Sequence, residues 1–135
     1  VVENIALSNR TDDSLPELAK RALEVSSSYG ITIEPHRYVY SLPVGMRQRV
    51  EILRCLLQKP RLLIMDEPTS VLTPQAIKEL FQMLTRLASE GCSILYISHK
   101  LDEVLQLCQT ATILRAGKVV AEVTLIKDTT RSMAE

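Results

Sequence analysis

The stretch LLIMDEPTS, from Leu62 to Ser70, is an apolar run that ends abruptly in two adjacent carboxylates, Asp66 and Glu67. Its apolar part, RLLIM over residues 61–65, has the continuity expected of a parallel strand that is covered on both faces. In an open parallel sheet, ligands bind beyond the carboxyl ends of the strands. We therefore predict a buried strand here, with both carboxylates at a ligand-binding edge.

A second apolar strand is predicted for SILYI, Ser93 to Ile97, and it is followed directly by Ser98 and His99. The carboxyl ends of neighbouring parallel strands meet at one edge of a sheet. Two carboxylates and an imidazole are therefore expected to converge there, although they lie far apart along the chain. A solvated loop would explain Asp66 and Glu67 alone, but not their match with His99.

Helical patterns separate these strands. Ser14 and Glu17 form a capping box that predicts a helix over residues 15–27. A second helix is predicted from Gly45 to the Lys59–Pro60 pair, and a third from Thr73, as N-cap, to Gly91. A short fourth helix follows His99, with its apolar side predicted to consist of Leu101, Val104, Leu105 and Cys108.

The remaining segments complete an α/β pattern. Residues 31–42 are predicted to be a connector with a short strand or turn, and Ala116-Gly117 a hairpin turn between two strands. Alternating strands and helices are typical of a parallel α/β fold. His36 is expected on the surface, whereas Tyr38 and Tyr40 are expected to pack against the helix that follows them.

The composition narrows the class of protein. The chain has 135 residues, of which 46% are hydrophobic, and this is enough for one domain with a core. Its 16 basic and 16 acidic residues balance, so charge gives no reason to expect nucleic acid or an anionic membrane surface as a partner. The three cysteines lack the paired spacing of a zinc site and favour a reducing compartment. No apolar run approaches the length of about 20 residues that spans a bilayer.

Several motifs, in the order and spacing of the family, resemble those of an ABC transporter ATPase. LLIMDEPTSVLTP followed by ILYISHKLDEV is similar to the Walker B segment, D-loop and switch histidine of that family. SLPVGMRQRVEILRCLLQKP resembles its signature loop and helix, and ILRAGKVVAEV its closing hairpin. VVENIAL resembles the segment that follows the Q-loop. The likeness extends over essentially the whole chain, and the form of the signature is similar to the nucleoside and simple-sugar import branch.

The resemblance implies a partial P-loop NTPase (RecA-like) core with parallel strands, together with the ABC helical subdomain. Residues 1–60 would be the helical subdomain with the signature, and residues 61–135 the C-terminal half of the core. The chain contains no Walker A loop, because Gly117 alone among its four glycines precedes a lysine and the rest of the pattern is missing. We expect the phosphate-binding half to lie upstream, and ATP and Mg²⁺ to bind only together with it.

The resemblance assigns a role to three residues of the strand ends. Asp66 would hold Mg²⁺ through oxygen and water ligands. Glu67 would act as general base toward the water that attacks the γ-phosphate. His99 would donate to the γ-phosphate and stabilise charge in the transition state.

Two further segments would contact nucleotide at the site of a partner domain. The signature segment comprises Leu42, Pro43, Val44, Gly45 and Met46, and the D-loop segment comprises Ser70, Val71, Leu72 and Thr73. Pro43 stands where the family has Ser, so a hydroxyl and a backbone donor are missing. The signature segment departs further at Val44 and Met46, and the D-loop segment ends in Thr73 where Asp is usual.

The implied function is ATP-driven import of a small solute, a nucleoside or simple sugar. The implied partners are a second ATPase domain, transmembrane permease subunits and, indirectly, a solute-binding protein, without nucleic acid. The implied location is the cytoplasmic face of the cell membrane. Two alternatives are a chromosome-maintenance or DNA-repair ABC-type ATPase, and a non-catalytic module that supplies a signature to a partner's nucleotide. His99 and the lack of coiled-coil heptads favour the transporter over the first alternative.

Overall fold

The computed structural model describes residues 1–8 and 12–125. The final ten positions of the predicted second part, 126–135, lie outside the described residues. The described chain forms two compact units. The first comprises residues 1–63 and 68–95, and the second comprises residues 64–67 and the described residues from Tyr96 onward. The predicted division at residue 60 stays a prediction.

The helices of the first unit begin and end close to the predicted positions. Helix α1 spans Val2–Ala6 and was not predicted, whereas α2 (Leu15–Ser28), α3 (Val44–Leu56) and α4 (Pro74–Ser89) were. The Ser14 N–H donates to the Glu17 carboxylate at 2.9 Å, which completes the predicted capping box of α2. Helix α4 begins at Thr73, whose Oγ1 accepts from the Ala76 N–H at 3.3 Å.

The core of the first unit is formed by the apolar faces of these helices. Helices α1, α2 and α3 pack against one another. Their inward residues and those of α4 are almost fully shielded from solvent; among them are Ile5, Leu18, Leu53 and Leu84. This packing fixes α3 and α4, and with them the signature and D-loop segments, in one body.

Two strands form the parallel pair that the sequence predicts. Strand β1 spans Leu62–Asp66 and strand β2 spans Ser93–Ile97. The Ser93 N–H donates to the Arg61 carbonyl at 2.9 Å, and the Glu67 N–H donates to the Ile97 carbonyl at 2.9 Å. The residue numbers of both strands increase from the first of these hydrogen bonds to the second, so the strands run parallel.

One face of β1 is buried among the described residues, and the other is exposed. The burial of β1 alternates: Leu63 and Met65 are buried, whereas Leu62 and Ile64 are 55% and 58% exposed. We expect the upstream elements implied by the resemblance to cover the exposed face, so burial of both faces in the intact protein stays a prediction.

The second unit contains a short helix and a hairpin. Helix α5 spans Leu101–Leu107, and strands β3 (Thr110–Arg115) and β4 (Lys118–Thr124) form an antiparallel pair around the predicted Ala116-Gly117 turn. Both turn residues have positive φ, 50° and 72°, as a tight hairpin turn of this kind requires. On the predicted apolar side of α5, Leu101 and Leu105 are exposed, and the buried residue of this helix is Glu103.

The connector before α3 also differs in part from the prediction. It contains a turn and a short 3-10 helix, Val39–Ser41, rather than a strand. His36 is exposed, as predicted. Tyr38 and Tyr40 do not pack into the core; both are exposed and stack on each other with ring centroids 5.3 Å apart. Stacking lets the two rings shield each other without burial.

Candidate active site

The carboxylate of Glu67 and the imidazole of His99 meet beyond the ends of β1 and β2. The Glu67 Oε1 accepts the backbone N–H of His99 at 3.1 Å and lies 2.8 Å from His99 Nδ1. The hydrogen bond from the Glu67 N–H to the Ile97 carbonyl extends the pairing by one residue and sets this alignment. The structure thus brings these two side chains together.

The backbone at Glu67 has a left-handed conformation, with φ of 46°. A residue with a side chain adopts this region at a cost of about 1–2 kcal/mol. Such strain is concentrated at functional sites, where the surrounding structure holds it in place. Asp66 is the last residue of β1, so the chain turns sharply between the two adjacent carboxylates.

The two oxygens of Glu67 differ in their surroundings. Oε1 bonds to His99, whereas Oε2 is buried and has no hydrogen-bond partner among the described residues. A buried acceptor without a partner costs free energy unless a ligand or water supplies one. The His99 side chain, by contrast, is 76% exposed. Because an ionised carboxylate only accepts, the contact with Glu67 uses a proton on Nδ1, and a ligand would meet Nε2.

The acidic residues of this site fit Mg²⁺ in the manner of nucleotide-binding enzymes. No cluster of three or more His, Cys, Asp or Glu side chains within residues 1–8 and 12–125 could enclose a metal ion. Mg²⁺ in such enzymes takes one or two carboxylates and completes its shell with water and substrate phosphates. The exposed carboxylate of Asp66 can supply such a ligand.

The signature segment lies at the start of α3. Pro43 is the N-cap, and its carbonyl accepts the N–H groups of Met46 and Arg47 at 2.9 and 3.0 Å. No side chain caps this helix, since Pro43 has neither a hydroxyl nor an N–H. Val44 is exposed, whereas Leu42 is 3% exposed and could meet a nucleotide only through its backbone.

The D-loop segment contacts the signature helix within the first unit. Ser70, Val71 and Thr73 are exposed, and the side chain of Leu72 lies 3.5 Å from where a Cβ on Gly45 would be. The Leu72 N–H donates to the Thr69 carbonyl at 3.2 Å, which folds the segment into a turn.

Side chains of α3 also bond to the chain just before the D-loop segment and to α4. The Gln48 Nε2 donates to the Pro68 carbonyl at 2.5 Å, and Arg49 forms an ion pair with Glu79 at 2.7 Å. Gln48 and Arg49 follow the signature segment closely in the sequence, and this position was the signal that could have indicated their contacts. The contacts hold α3 against α4 and against Pro68, two residues before the D-loop segment.

A family model described as ABC transporter matches residues 1–70. The chain belongs to this family. The matched residues include the signature segment and end at Ser70, so His99 lies beyond them. No helix within the described part of this ABC chain has the length and apolar character needed to cross a membrane.

Curated relatives of this ABC chain are import proteins. It is 42% identical over 139 residues to the nucleoside import ATP-binding protein NupA of Lactococcus lactis, a match that covers 100% of the chain and 28% of that protein. It is 44% identical over 102 residues to the arabinose import ATP-binding protein AraG of Rhizobium johnstonii, covering 76% of the chain and 20% of that protein. The chain thus spans about a quarter of the length of these relatives.

A solved structure shows the same fold. The ATP-binding cassette MJ0796, in a dimeric post-hydrolysis state bound to ADP and phosphate, matches with a TM-score of 0.79. The identity is 24%, and the match covers 93% of this chain and 56% of the cassette. The chain is therefore a mixed α/β portion of the ABC ATPase fold, as the sequence predicted.

Proposed function

We propose that the intact protein that carries this chain is an ATPase that drives the import of a small solute, a nucleoside or simple sugar. The observation that carries this proposal is the pairing of Glu67 with His99 at the strained end of β1, in a chain of the ABC family. The import functions in the names of the relatives support the direction and the solute class. They also favour transport over chromosome maintenance or DNA repair.

In this proposal Glu67 is the general base toward the attacking water. Its Oε1 is held by His99, so Oε2 is the oxygen left to accept a proton. His99 orients the carboxylate through Nδ1 and would donate to the γ-phosphate through Nε2 when the ring carries both protons. Asp66 would hold Mg²⁺, which neutralises charge on the phosphate oxygens when it is bound.

The signature and D-loop segments would serve the nucleotide of a second ATPase domain. The first-turn N–H groups of α3, at Val44 and Gly45, have no intrahelical acceptor and can bind a phosphate. The exposed Ser70 and Val71 can contact a partner domain. The further proposed partners are transmembrane permease subunits and, through them, a solute-binding protein, which places the ATPase on the cytoplasmic face of the membrane.

Pro43 favours a non-catalytic role for the signature segment at the one nucleotide site that it faces. The N-cap of α3 offers no hydroxyl and no N–H to a γ-phosphate. The site that this signature faces would therefore bind ATP but hydrolyse it slowly, while the site that contains Glu67 turns over. In this respect the signature would act as a non-catalytic part of the partner's site.

The test measures hydrolysis and transport together. The intact protein, purified with its membrane subunits, is expected to release phosphate from MgATP. Cells that lack its gene are expected to lose uptake of a labelled nucleoside, ribose or arabinose, and the gene should restore it. If the purified complex releases no phosphate, or if deletion of the gene leaves uptake of all three solutes unchanged, the proposal is wrong.

A further inference from the structure

Glu103 is a buried carboxylate that the proposed mechanism does not use. It lies in the first turn of α5 and is 8% exposed, whereas its acidic neighbour Asp102 is exposed. Carboxylates are rarely buried to this extent unless they are paired, because a charged group that loses its hydration needs other partners. Burial at this position therefore needs specific partners.

Three donors compensate the burial of Glu103. Its Oε2 accepts from the Tyr96 hydroxyl at 2.7 Å and from the Ser98 hydroxyl at 3.3 Å. Its Oε1 lies 3.3 Å from the ammonium of Lys100. Tyr96 belongs to β2, and Ser98 and Lys100 flank His99. The carboxylate therefore contacts the end of β2 and both neighbours of His99.

Ser98 transmits this anchoring to the backbone. Its Oγ donates to Glu103 and accepts the backbone N–H of Lys100 at 3.1 Å. The Lys100 carbonyl in turn accepts the Glu103 N–H at 3.2 Å, at the start of α5. The turn over residues 98–100 is therefore closed by side-chain and backbone bonds that meet at Glu103.

His99 lies at the apex of this turn. Its side chain is too exposed to be oriented by packing, so its position depends on the turn and on the contact with Glu67. The same turn directs the His99 N–H to the Glu67 Oε1 at 3.1 Å. We infer that Glu103 is a positioning residue, which holds the Ser98–Lys100 turn so that His99 and Glu67 meet in the geometry needed for hydrolysis. The inference rests on the proposed ATPase function.

The kinetic test uses the intact protein with Glu103→Ala. A displaced catalytic group lowers the rate of the chemical step more than it weakens substrate binding. We expect kcat to fall about 10- to 100-fold, with KM for ATP unchanged. Glu103→Gln keeps an oxygen that accepts from Tyr96 and Ser98 and should restore most of the rate. Asp102→Asn, an acidic-to-amide change in the same helical turn, is the matched control and should leave both constants unchanged.

A second measurement reports the turn itself, without catalysis. Hydrogen exchange of the His99 and Lys100 amides should be faster in Glu103→Ala than in the wild type, and unchanged in Glu103→Gln and Asp102→Asn. If Glu103→Ala does not fold, Ser98→Ala cuts the link between the carboxylate and the turn. Because the Ser98 Oγ also accepts the Lys100 N–H, the informative readouts are then kcat and the exchange of the His99 amide, and both should change as expected for Glu103→Ala.

Three results would overturn the inference: unchanged exchange of these amides in a folded Glu103→Ala or Ser98→Ala protein, a rise in KM with unchanged kcat, or no recovery in Glu103→Gln. A wild type that does not hydrolyse ATP would refute the proposed function instead, and the exchange measurement would then decide the role of Glu103 in the turn.

Discussion

Replacement of Glu67 by Gln separates the chemistry of this carboxylate from its structural role. Gln keeps an oxygen that can accept from the His99 N–H and from Nδ1, at the positions now 3.1 and 2.8 Å away. The positive φ at this residue costs the same for both side chains. A hydrogen bond to a neutral acceptor is weaker than one to a charged acceptor by about 1 kcal/mol. Because the site is partly exposed, we expect the free energy of unfolding to fall by less than that.

Hydrolysis should respond much more strongly. An amide cannot accept the proton of the attacking water, and general-base catalysis contributes about 10²- to 10⁴-fold. At about 1.4 kcal/mol per factor of ten, this loss corresponds to roughly 3–5 kcal/mol in the barrier. The effect on the barrier therefore exceeds the effect on stability several-fold, whereas ATP affinity should change little.

The assay is steady-state phosphate release by the intact protein, with equilibrium binding of ATP measured on the same samples. Glu122→Gln is the matched control, because it makes the same chemical change at an exposed position of β4 in the same unit. If Glu67→Gln retains more than about a tenth of the wild-type rate, the loss of rate is smaller than the contribution of general-base catalysis. Glu67 would then not be the base. The carboxylate would then have only a structural role with His99.

Three further changes test other parts of the site. Thr73→Ala should lower the free energy of unfolding by about 1 kcal/mol through loss of the α4 N-cap, whereas Thr73→Asp should retain it; equal denaturation midpoints would contradict the cap. Gly45→Ala would place a Cβ 3.5 Å from Leu72, an ordinary contact, so stability should hold, while ATP binding at the site that the signature faces should weaken if a phosphate approaches this turn; unchanged ATP binding would exclude that approach. Hydrogen bonds from Tyr29 and then Arg86 lower the pKa of Glu90, so its stabilising effect is present at neutral pH and is lost as pH falls through that lowered value. Glu90→Gln should therefore destabilise the chain at pH 7 but not below this transition, and thermal melts that differ equally at both pH values would refute the linkage.

Much of the fold could be predicted because local signals and tertiary structure agree. Helix α2 follows from its capping box, and helix α4 from Thr73 and its wide apolar stripe. The meeting of Glu67 with His99 followed from a general rule, since parallel strands place their carboxyl ends at one edge. That rule needs the direction of the strands but no detail of side-chain packing.

The features that were missed depend on contacts between side chains. Tyr38 and Tyr40 are exposed, and their rings shield each other by stacking. Alternating aromatic residues in a sequence do not distinguish this arrangement from packing on a helix. Glu103 is buried against expectation because Tyr96 and Ser98, at the end of another element, supply its donors. A hydrophobic pattern ranks a carboxylate as exposed, so it gives no sign that Glu103 is buried.

The left-handed backbone at Glu67 turns this side chain away from the direction that a regular strand would give it. The proposed division of roles, Mg²⁺ binding by Asp66 and proton acceptance by Glu67, requires such a difference in direction. In a regular strand, successive side chains point to opposite faces, and Asp66 follows that geometry as the last residue of β1. The turn at Glu67 breaks the alternation and directs the second carboxylate to His99. Glycine would adopt this φ without the cost of about 1–2 kcal/mol. The bonds from Glu67 to Ile97 and His99 offset that cost by about 0.5–1.5 kcal/mol each. Glu67 is thus held in a strained backbone conformation by its own contacts, an arrangement that agrees with the general-base role proposed for it.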